Sequence, residues 1–508
     1  MRISTDLIFR QAVDAIRLQQ TDISQTQAQL VSGKRVLSAA DDPLGVSSTF
    51  RLTQRIEALG QFQDTIDSAR TRLAQSEDSL NSAVNIMQRV RELVITANGP
   101  AVGATERQAI AAEVRSGLTS LVAVANTQDP GGEYLYAGFN GGGVPFAQQA
   151  DGTVTYAGDQ GARAVQVGLD NRLQVSDSGF DVFFDLFNGN GRFQVQAAST
   201  NTGSGVIDTG SVVDEAAFDG VTRSVVIAAD SGVNVGGFAL SDSGTNDTLT
   251  YELRINNTVI DTLNEGDTRT LAALETAIDA ASGTTGVEAH IDGGKLYLTN
   301  TPGSSGIVVN ERLLGASEDT DTATGLFGNT LTGLSAASAT SDFSASADSY
   351  VILNAGAVEG SGSYVSGTAI EFSGIRTRVT GVPATGDTFT VSASTKQSMF
   401  STINKVVDAL GESGAQVDNQ LSQVTVDLDR ALDKLGLVRA EIGARLNTLD
   451  TQETLNTGLD VDLRVARSQV EDLDYTEAAG IYNRQLLGLQ AAQQAFVKVQ
   501  GLSLFNFI

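Results

Sequence analysis

Nucleophilic and metal chemistry is carried most often by histidine and cysteine, and this chain of 508 residues holds one histidine, His290, and no cysteine. Multi-histidine zinc sites, thiolate nucleophiles and disulfides are therefore excluded. A Ser-His-Asp triad would have to use His290. Val287, Ala289 and Ile291 alternate along its strand and take one face, which puts His290 on the other face, in solvent. No Gly-x-Gly-x-x-Gly and no Walker A sequence is present, and Gly138-Phe139-Asn140-Gly141-Gly142-Gly143 reads as a flexible turn. The acidic cluster Asp242-Ser243-Gly244-Thr245-Asn246-Asp247 lacks the spacing of an EF-hand and reads as turns. Paired carboxylates of the glycosidase kind stay open, because 60 acidic residues allow many pairs. The expectation is a protein that is not an enzyme, with no cofactor and no metal.

Composition narrows the partners. The net charge is −27, from 33 Lys and Arg against 60 Asp and Glu, which repels DNA, RNA and anionic lipid. No run approaches the ~18 apolar residues of a membrane span, and Met1-Arg2-Ile3-Ser4-Thr5-Asp6 lacks the apolar core of a secretory signal peptide. Aromatic residues make up 6% and tryptophan is absent, which predicts thin core layers or helix seams.

The elements themselves are mostly helices at the two ends of the chain. All six prolines lie outside the long periodic stretches, and 44–99 and 384–508 contain none. Between 59 and 97 a strict heptad places Leu59, Phe62, Ile66, Ala69, Leu73, Ser76, Leu80, Ala83, Met87, Val90, Val94 and Ala97 at a and d, eleven of the twelve apolar. Asp42-Pro43 supplies an N-cap followed by proline at the first helical position, and Asn98-Gly99-Pro100 a stop. A second heptad runs from Val417 through Leu421, Leu428, Leu435 and Ile442 to Leu473, with fourteen of seventeen positions apolar. A continuous helix over that span would be roughly 85 Å long. Its polar positions Arg445, Gln452 and Asn456 predict a break near 445–458. A third helix is predicted from a capping box, Thr105-x-x-Gln108, with Ile110, Val114, Leu118, Leu121 and Ala125 on its apolar face and Asp129-Pro130-Gly131-Gly132 at its end.

The extreme ends are helical but less strongly apolar. Phe9, Ile16, Ile23 and Leu30 recur every seven residues, and Ala478, Tyr482, Leu486, Leu489, Ala492, Phe496 and Val499 form a stripe before the apolar run Leu502 to Ile508, which includes Leu504 and Phe505. Such greasy ends call for burial against each other or against a partner. The middle alternates short strand patterns with turn residues, and 253–309 reads as a β-β-α-β-β module whose helix carries Leu271, Leu274, Ile278 and Ala281.

At this point the chain becomes recognisable. Ser32-Gly33-Lys34-Arg35-Val36-Leu37-Ser38-Ala39-Ala40-Asp41-Asp42-Pro43, the heptad ending Glu92-Leu93-Val94-Ile95-Thr96-Ala97-Asn98-Gly99, Glu133-Tyr134-Leu135-Tyr136-Ala137-Gly138 and Tyr156-Ala157-Gly158-Asp159 resemble the flagellin superfamily. Met1-Arg2-Ile3-Ser4-Thr5, the segment from Ile370-Glu371-Phe372 to Thr388-Phe389, and the Ser503-Leu504-Phe505 ending look like its hook-associated protein 3 family. The resemblance covers roughly 1–215 and 362–508, with 220–360 as an insertion; Asp64 and Asp67 stand where an Asn-containing stretch belongs in that family.

The resemblance implies an α+β chain: a long α-helical coiled-coil rod formed by both chain ends, with an inserted all-β or α+β outer domain. Its expected domains are terminal helices at 1–42 and 460–508, a rod at 43–192 and 395–459 with a β-hairpin segment, and an outer domain at 193–394. The implied function is a structural adaptor at the junction of hook and filament of the bacterial flagellum, exported without a cleaved signal peptide through the flagellar type III channel. The implied partners are further copies in a ring, other hook-associated proteins, flagellin, and an export chaperone at the C-terminal helix, with no nucleic acid and no membrane. The seam carries Leu59, Phe62, Ile66, Leu73, Leu80, Met87, Val94, Leu421, Leu428, Leu435 and Ile442; the terminal helices pack through Phe9, Ile16, Ile23, Leu30, Leu486, Leu489, Phe496, Leu504 and Phe505. A flagellin of the filament is the alternative, and a hydrolytic or adhesive centre in 220–360 belongs to other classes.

Overall fold

The computed structural model describes residues 5–99, 101–234, 238–239, 249–264, 267–304, 306–314, 322–327, 329–332, 338–343 and 346–504. The helices are α1 (Thr5–Ser32), α2 (Pro43–Ala97), α3 (Ala104–Ala125), α4 (Gly179–Phe183), α5 (Leu271–Ala280), α6 (Ser282–Thr285), α7 (Met399–Gly411), α8 (Ala415–Glu471) and α9 (Tyr475–Leu504). The chain divides into two compact units. One comprises Met1–Ala74, Ala164–Val175 and Gly443–Ile508, and the other Gln75–Arg163 and Ser176–Ile442. The expected α+β class, with helices from both chain ends and a sheet-rich middle, is the class observed.

Local signals decide the helix ends. Asp42 Oδ1 accepts from the Gly45 amide at 2.8 Å, so α2 starts at Pro43 as its sequence requires, and the chain leaves the helix after Ala97. The capping box expected at Thr105 does not form. The α3 N-cap is Gly103, without a side-chain bond, because the helix begins two residues earlier than the Thr105 pattern demands. The apolar face of α3 is buried at Ala111, Val114, Leu118, Leu121 and Ala125. The break expected near 445–458 is also absent, and α8 is continuous from Ala415 to Glu471.

In the larger unit, the twelve-residue strand Arg223–Asn234 runs from one core into another. Its first half pairs with Thr388–Ala393 on one side and Ser349–Asn354 on the other; its second half pairs with Lys295–Asn300. The first core gathers Phe193, Val225, Ile227, Ile375 and Phe389. The second gathers Tyr251, Leu253, Leu274, Ile278, Leu296 and Leu298, and it is the core of the β-β-α-β-β module. Thr250–Ile255 pairs with Thr258–Asn264 as the first hairpin and Val287–Asp292 with Lys295–Asn300 as the second, while Thr270 caps α5 by accepting from the Ala273 amide. The two hairpins belong to different sheets that enclose α5's apolar side. Glu311 is fully buried in this core. Its carboxylate accepts from the Tyr251 hydroxyl at 2.6 Å, Phe327 N at 3.0 Å and Asn329 Nδ2 at 2.6 Å, so the buried charge is satisfied by three donors. Burial, and then Glu311 itself, push the Tyr251 hydroxyl far above its ordinary value.

The few aromatic residues are concentrated. Tyr136, Phe146, Phe183, Phe184 and Phe400 stack within one cluster with ring centroids 5.3–6.2 Å apart. Their low total therefore does not spread them thinly, because with Tyr156 and Phe180, which lie against Phe146 and Phe184, seven of them gather in one cluster. The glycine-rich turn at 138–143 is held in place. The Asp159 carboxylate accepts from the amides of Phe139, Asn140 and Gly161 at 2.7–3.0 Å, and those bonds lower its pKa. Gly138, at φ +74°, lies where a Cβ would strike Asp159 Oδ1 at 2.2 Å.

Candidate functional site: the paired chain ends

His290 is not solvated. It is half-buried on the side of its strand that pairs with Tyr297, and its Nε2 lies 3.2 Å from the Thr299 hydroxyl. Burial lowers its pKa, against the opposing fields of Asp279 and Glu288. Among the described residues no three His, Cys, Asp or Glu side chains cluster as metal ligands would, and no helix is long and apolar enough to cross a membrane. The Asp242–Asp247 segment lies outside the described residues.

The seam residues Leu59, Ile66, Leu73, Leu80, Met87, Val94, Leu421, Leu428, Leu435 and Ile442 are each buried, and Phe62 is half-buried. Their own chain covers them. Cross-links between α2 and α8 flank this stripe. In the smaller unit Arg70 reaches Asp450 at 2.7 Å and Glu453 at 2.5 Å, and Gln63 donates to Glu453 at 3.1 Å. In the larger unit Arg91 reaches Asp429 at 2.5 Å. The bond from Glu453, then that from Asp450, raises the Arg70 pKa. Such half-exposed pairs contribute at most about 1 kcal/mol each, so they select register more than they stabilise.

Past Ile442 burial thins out. Leu449 is buried, but Leu463, Ala466 and Val470 are half-exposed and Leu459 is 47% exposed. The polar seam positions that suggested a break have a different purpose. Asn456 donates to the carbonyl of Val167 at 2.9 Å, and Gln452 accepts from Asn171 Nδ2 at 3.0 Å. Both residues dock the hairpin Ala164–Gln166/Arg172–Gln174 on α8. Polar residues at a seam position are the signal that could have found this docking, since a buried amide needs a partner.

The ends pair with each other. Ile16, Ile23 and Leu30 on α1 and Leu486, Leu489 and Phe496 on α9 are half-buried, while Phe9 and Leu504 lie on the described backbone of those helices and Phe505 lies outside the described residues. Polar contacts that the stripes did not reveal fix the pairing. Gln485 accepts at its side chain from Thr26 Oγ1 at 2.9 Å and at its backbone carbonyl from Gln19 Nε2 at 3.2 Å. Two helices bury one stripe each and leave the rest of their surface uncovered. Leu18 (66%), Leu487 (66%) and Val497 (65%) are exposed accordingly.

The connection between α1 and α2 is tied to the gap between α8 and α9. The Arg35 amide donates to the Glu471 carbonyl at 2.8 Å and the Leu473 amide to the Gly33 carbonyl at 3.0 Å, around a Lys34–Asp472 bridge. The Arg35 guanidinium donates to Val470 O at 2.8 Å and Asp42 at 3.2 Å, and Lys34 pairs with Glu471. The Gly45 amide bond, with help from Arg35, holds the Asp42 carboxyl below its usual range.

Comparison with known proteins agrees with this geometry. Residues 3–141 match the bacterial flagellin N-terminal helical region. The chain is 25% identical over 183 residues to flagellar hook-associated protein 3 of Salmonella typhimurium, covering 36% of this chain, and 24% identical over 202 residues to that of Escherichia coli, covering 40%. These matches span 57% and 62% of the length of the two relatives. Among solved structures, the flagellar junction protein FlgL of Legionella pneumophila aligns with a TM-score of 0.54 at 24% identity, over 84% of this chain and all of that one. By fold over most of its length this chain has the architecture of that junction protein, and by sequence near its N-terminus it is similar to the helical region of bacterial flagellin.

Proposed function

We propose that this chain is a structural subunit of the bacterial flagellum, an adaptor between hook and filament that assembles by lateral packing of its helices. The observation that carries the proposal is the apolar surface left uncovered in the smaller unit, at Leu18, Leu459, Val461, Val465, Leu487 and Val497. Two paired helices do not bury it, and neighbouring copies would. The seam residues, already covered, hold the subunit together, and the interface falls to these outward residues.

In this reading 1–42 and 460–508 line the inside of a tube, 43–192 and 395–459 form its wall, and 193–394 faces outward. Other hook-associated proteins and flagellin are the neighbours above and below a ring of copies. The subunit travels unfolded through the flagellar type III channel, with a chaperone on its C-terminal helix. No chemistry is asked of His290, whose ring faces Thr299.

The test is electron microscopy of a strain lacking the gene, with an assay for flagellin in the medium. Bare hooks with flagellin shed into the medium are expected. Hooks still bearing filaments would overturn the junction role and leave the chain as a filament subunit.

A further inference from the structure

The gap between α8 and α9 is Asp472-Leu473-Asp474, with no glycine or proline, and proline is absent from all of 384–508. Beyond Asn456 the apolar repeat of α8 also runs through Leu459, Leu463, Ala466 and Val470 to Leu473. Nothing in the apolar pattern requires the helix to stop there. What replaces it is visible in the hydrogen bonds. In a continuous helix the amides of 473, 474 and 475 would donate to the carbonyls of 469, 470 and 471. Here the Leu473 amide donates to Gly33 O at 3.0 Å, Val470 O accepts from the Arg35 guanidinium at 2.8 Å, and Glu471 O accepts from the Arg35 amide at 2.8 Å. Helical bonding persists up to Asp472, whose amide still donates to Ser468 O at 2.9 Å. Two residues of the connection between α1 and α2, Gly33 and Arg35, have taken over three of the helix's own bonding groups.

The far side of the gap is prepared for the same switch. Asp474 Oδ1 accepts from the amides of Thr476 and Glu477 at 2.8 and 3.1 Å, the N-cap of a fresh helix. Gly33 makes the approach possible. Its φ is +69°, and a Cβ there would lie 2.7 Å from the Tyr475 hydroxyl.

We propose that residues 33–35 act as a latch that interrupts the C-terminal helix: docked, they hold α8 and α9 apart, and released, the chain runs as one helix through 472–474. Because released bonds are re-formed within the helix, the two states exchange like for like, the condition for a bistable element. The N-terminal segment then dictates the backbone of the C-terminal one, so the two ends of the chain change state together.

The placement of Leu473 in the gap suits a direct reading by NMR of the full chain with 13C-labelled leucine. The double variant Gly33→Val, Arg35→Ala undocks the latch through the strained φ of +69° at residue 33 and the lost guanidinium. In the native chain the Leu473 Cα shift should lie outside the helical range, and in the variant it should move into it, with Leu486 and Leu489 helical in both. A Leu473 that stays outside the helical range in the variant overturns the latch and assigns the gap to the Asp474 cap alone. Loss of helical shifts at Leu486 and Leu489 in the variant also overturns it, since α9 would then depend on the latch for its order.

Discussion

At the scale of single residues, identity alone misjudged a polar side chain whose partner sits on the neighbouring strand. His290 alternates with apolar neighbours and reads as a surface residue, yet Thr299, nine positions on, and the packing of its strand half-bury it. That has a consequence for pH. Burial favours the neutral ring, so the folded pKa lies below the ordinary value of about 6.5 that the unfolded chain retains. Between those two values the unfolded state binds more protons, and stability rises with pH. His290 thus costs nothing above about pH 6.5 and destabilises the fold as pH drops through that value toward the folded one. Urea unfolding at pH 7.5 and 5.5 should show a loss on acidification that is smaller in His290→Gln; an equal loss in both proteins would contradict this.

At the scale of elements, heptads were legible because they answer to local periodicity. Of the twelve a and d positions between 59 and 97, eleven are buried and only Phe62 is half-buried. The contrast between seam and surface on α2 gives a prediction. Leu80 is fully buried, so Leu80→Ala should destabilise by about 2–5 kcal/mol. Ile95, on the same helix but 53% exposed, should lose no more than about 0.5 kcal/mol when changed to Ala. Urea midpoints at constant slope would measure both, and a small effect at Leu80 would sink the seam. Where the heptad turned polar, at Gln452 and Asn456, periodicity suggested a break. The helix continues because those amides bond a hairpin nearly 290 residues earlier in the chain.

At the scale of the whole molecule, the outward apolar residues of the smaller unit are the features that a lone subunit does not explain. Leu487 is 66% exposed. Leu487→Asp should therefore leave the thermal midpoint of the monomer unchanged while abolishing its incorporation into flagella, read by electron microscopy of a complemented strain. A variant that assembles normally would remove Leu487 from the interface, and one that loses thermal stability would place it in the fold instead.

The sequence by itself determined the helical ends, the seam stripes, the strand-rich insertion and the family resemblance, because each rests on local periodicity, end signals or contiguous motifs. The β-β-α-β-β module was legible for the same reason, its α5 stripe at Leu274 and Ile278 being buried as the spacing requires. Only the tertiary structure decided that its two hairpins join different sheets, that Glu311 is a satisfied buried charge, and that Gly33 and Arg35 interrupt a helix more than 430 residues away. Those outcomes depend on hydrogen-bond partners brought together by folding, and a donor's choice among distant acceptors leaves no period in the sequence to read.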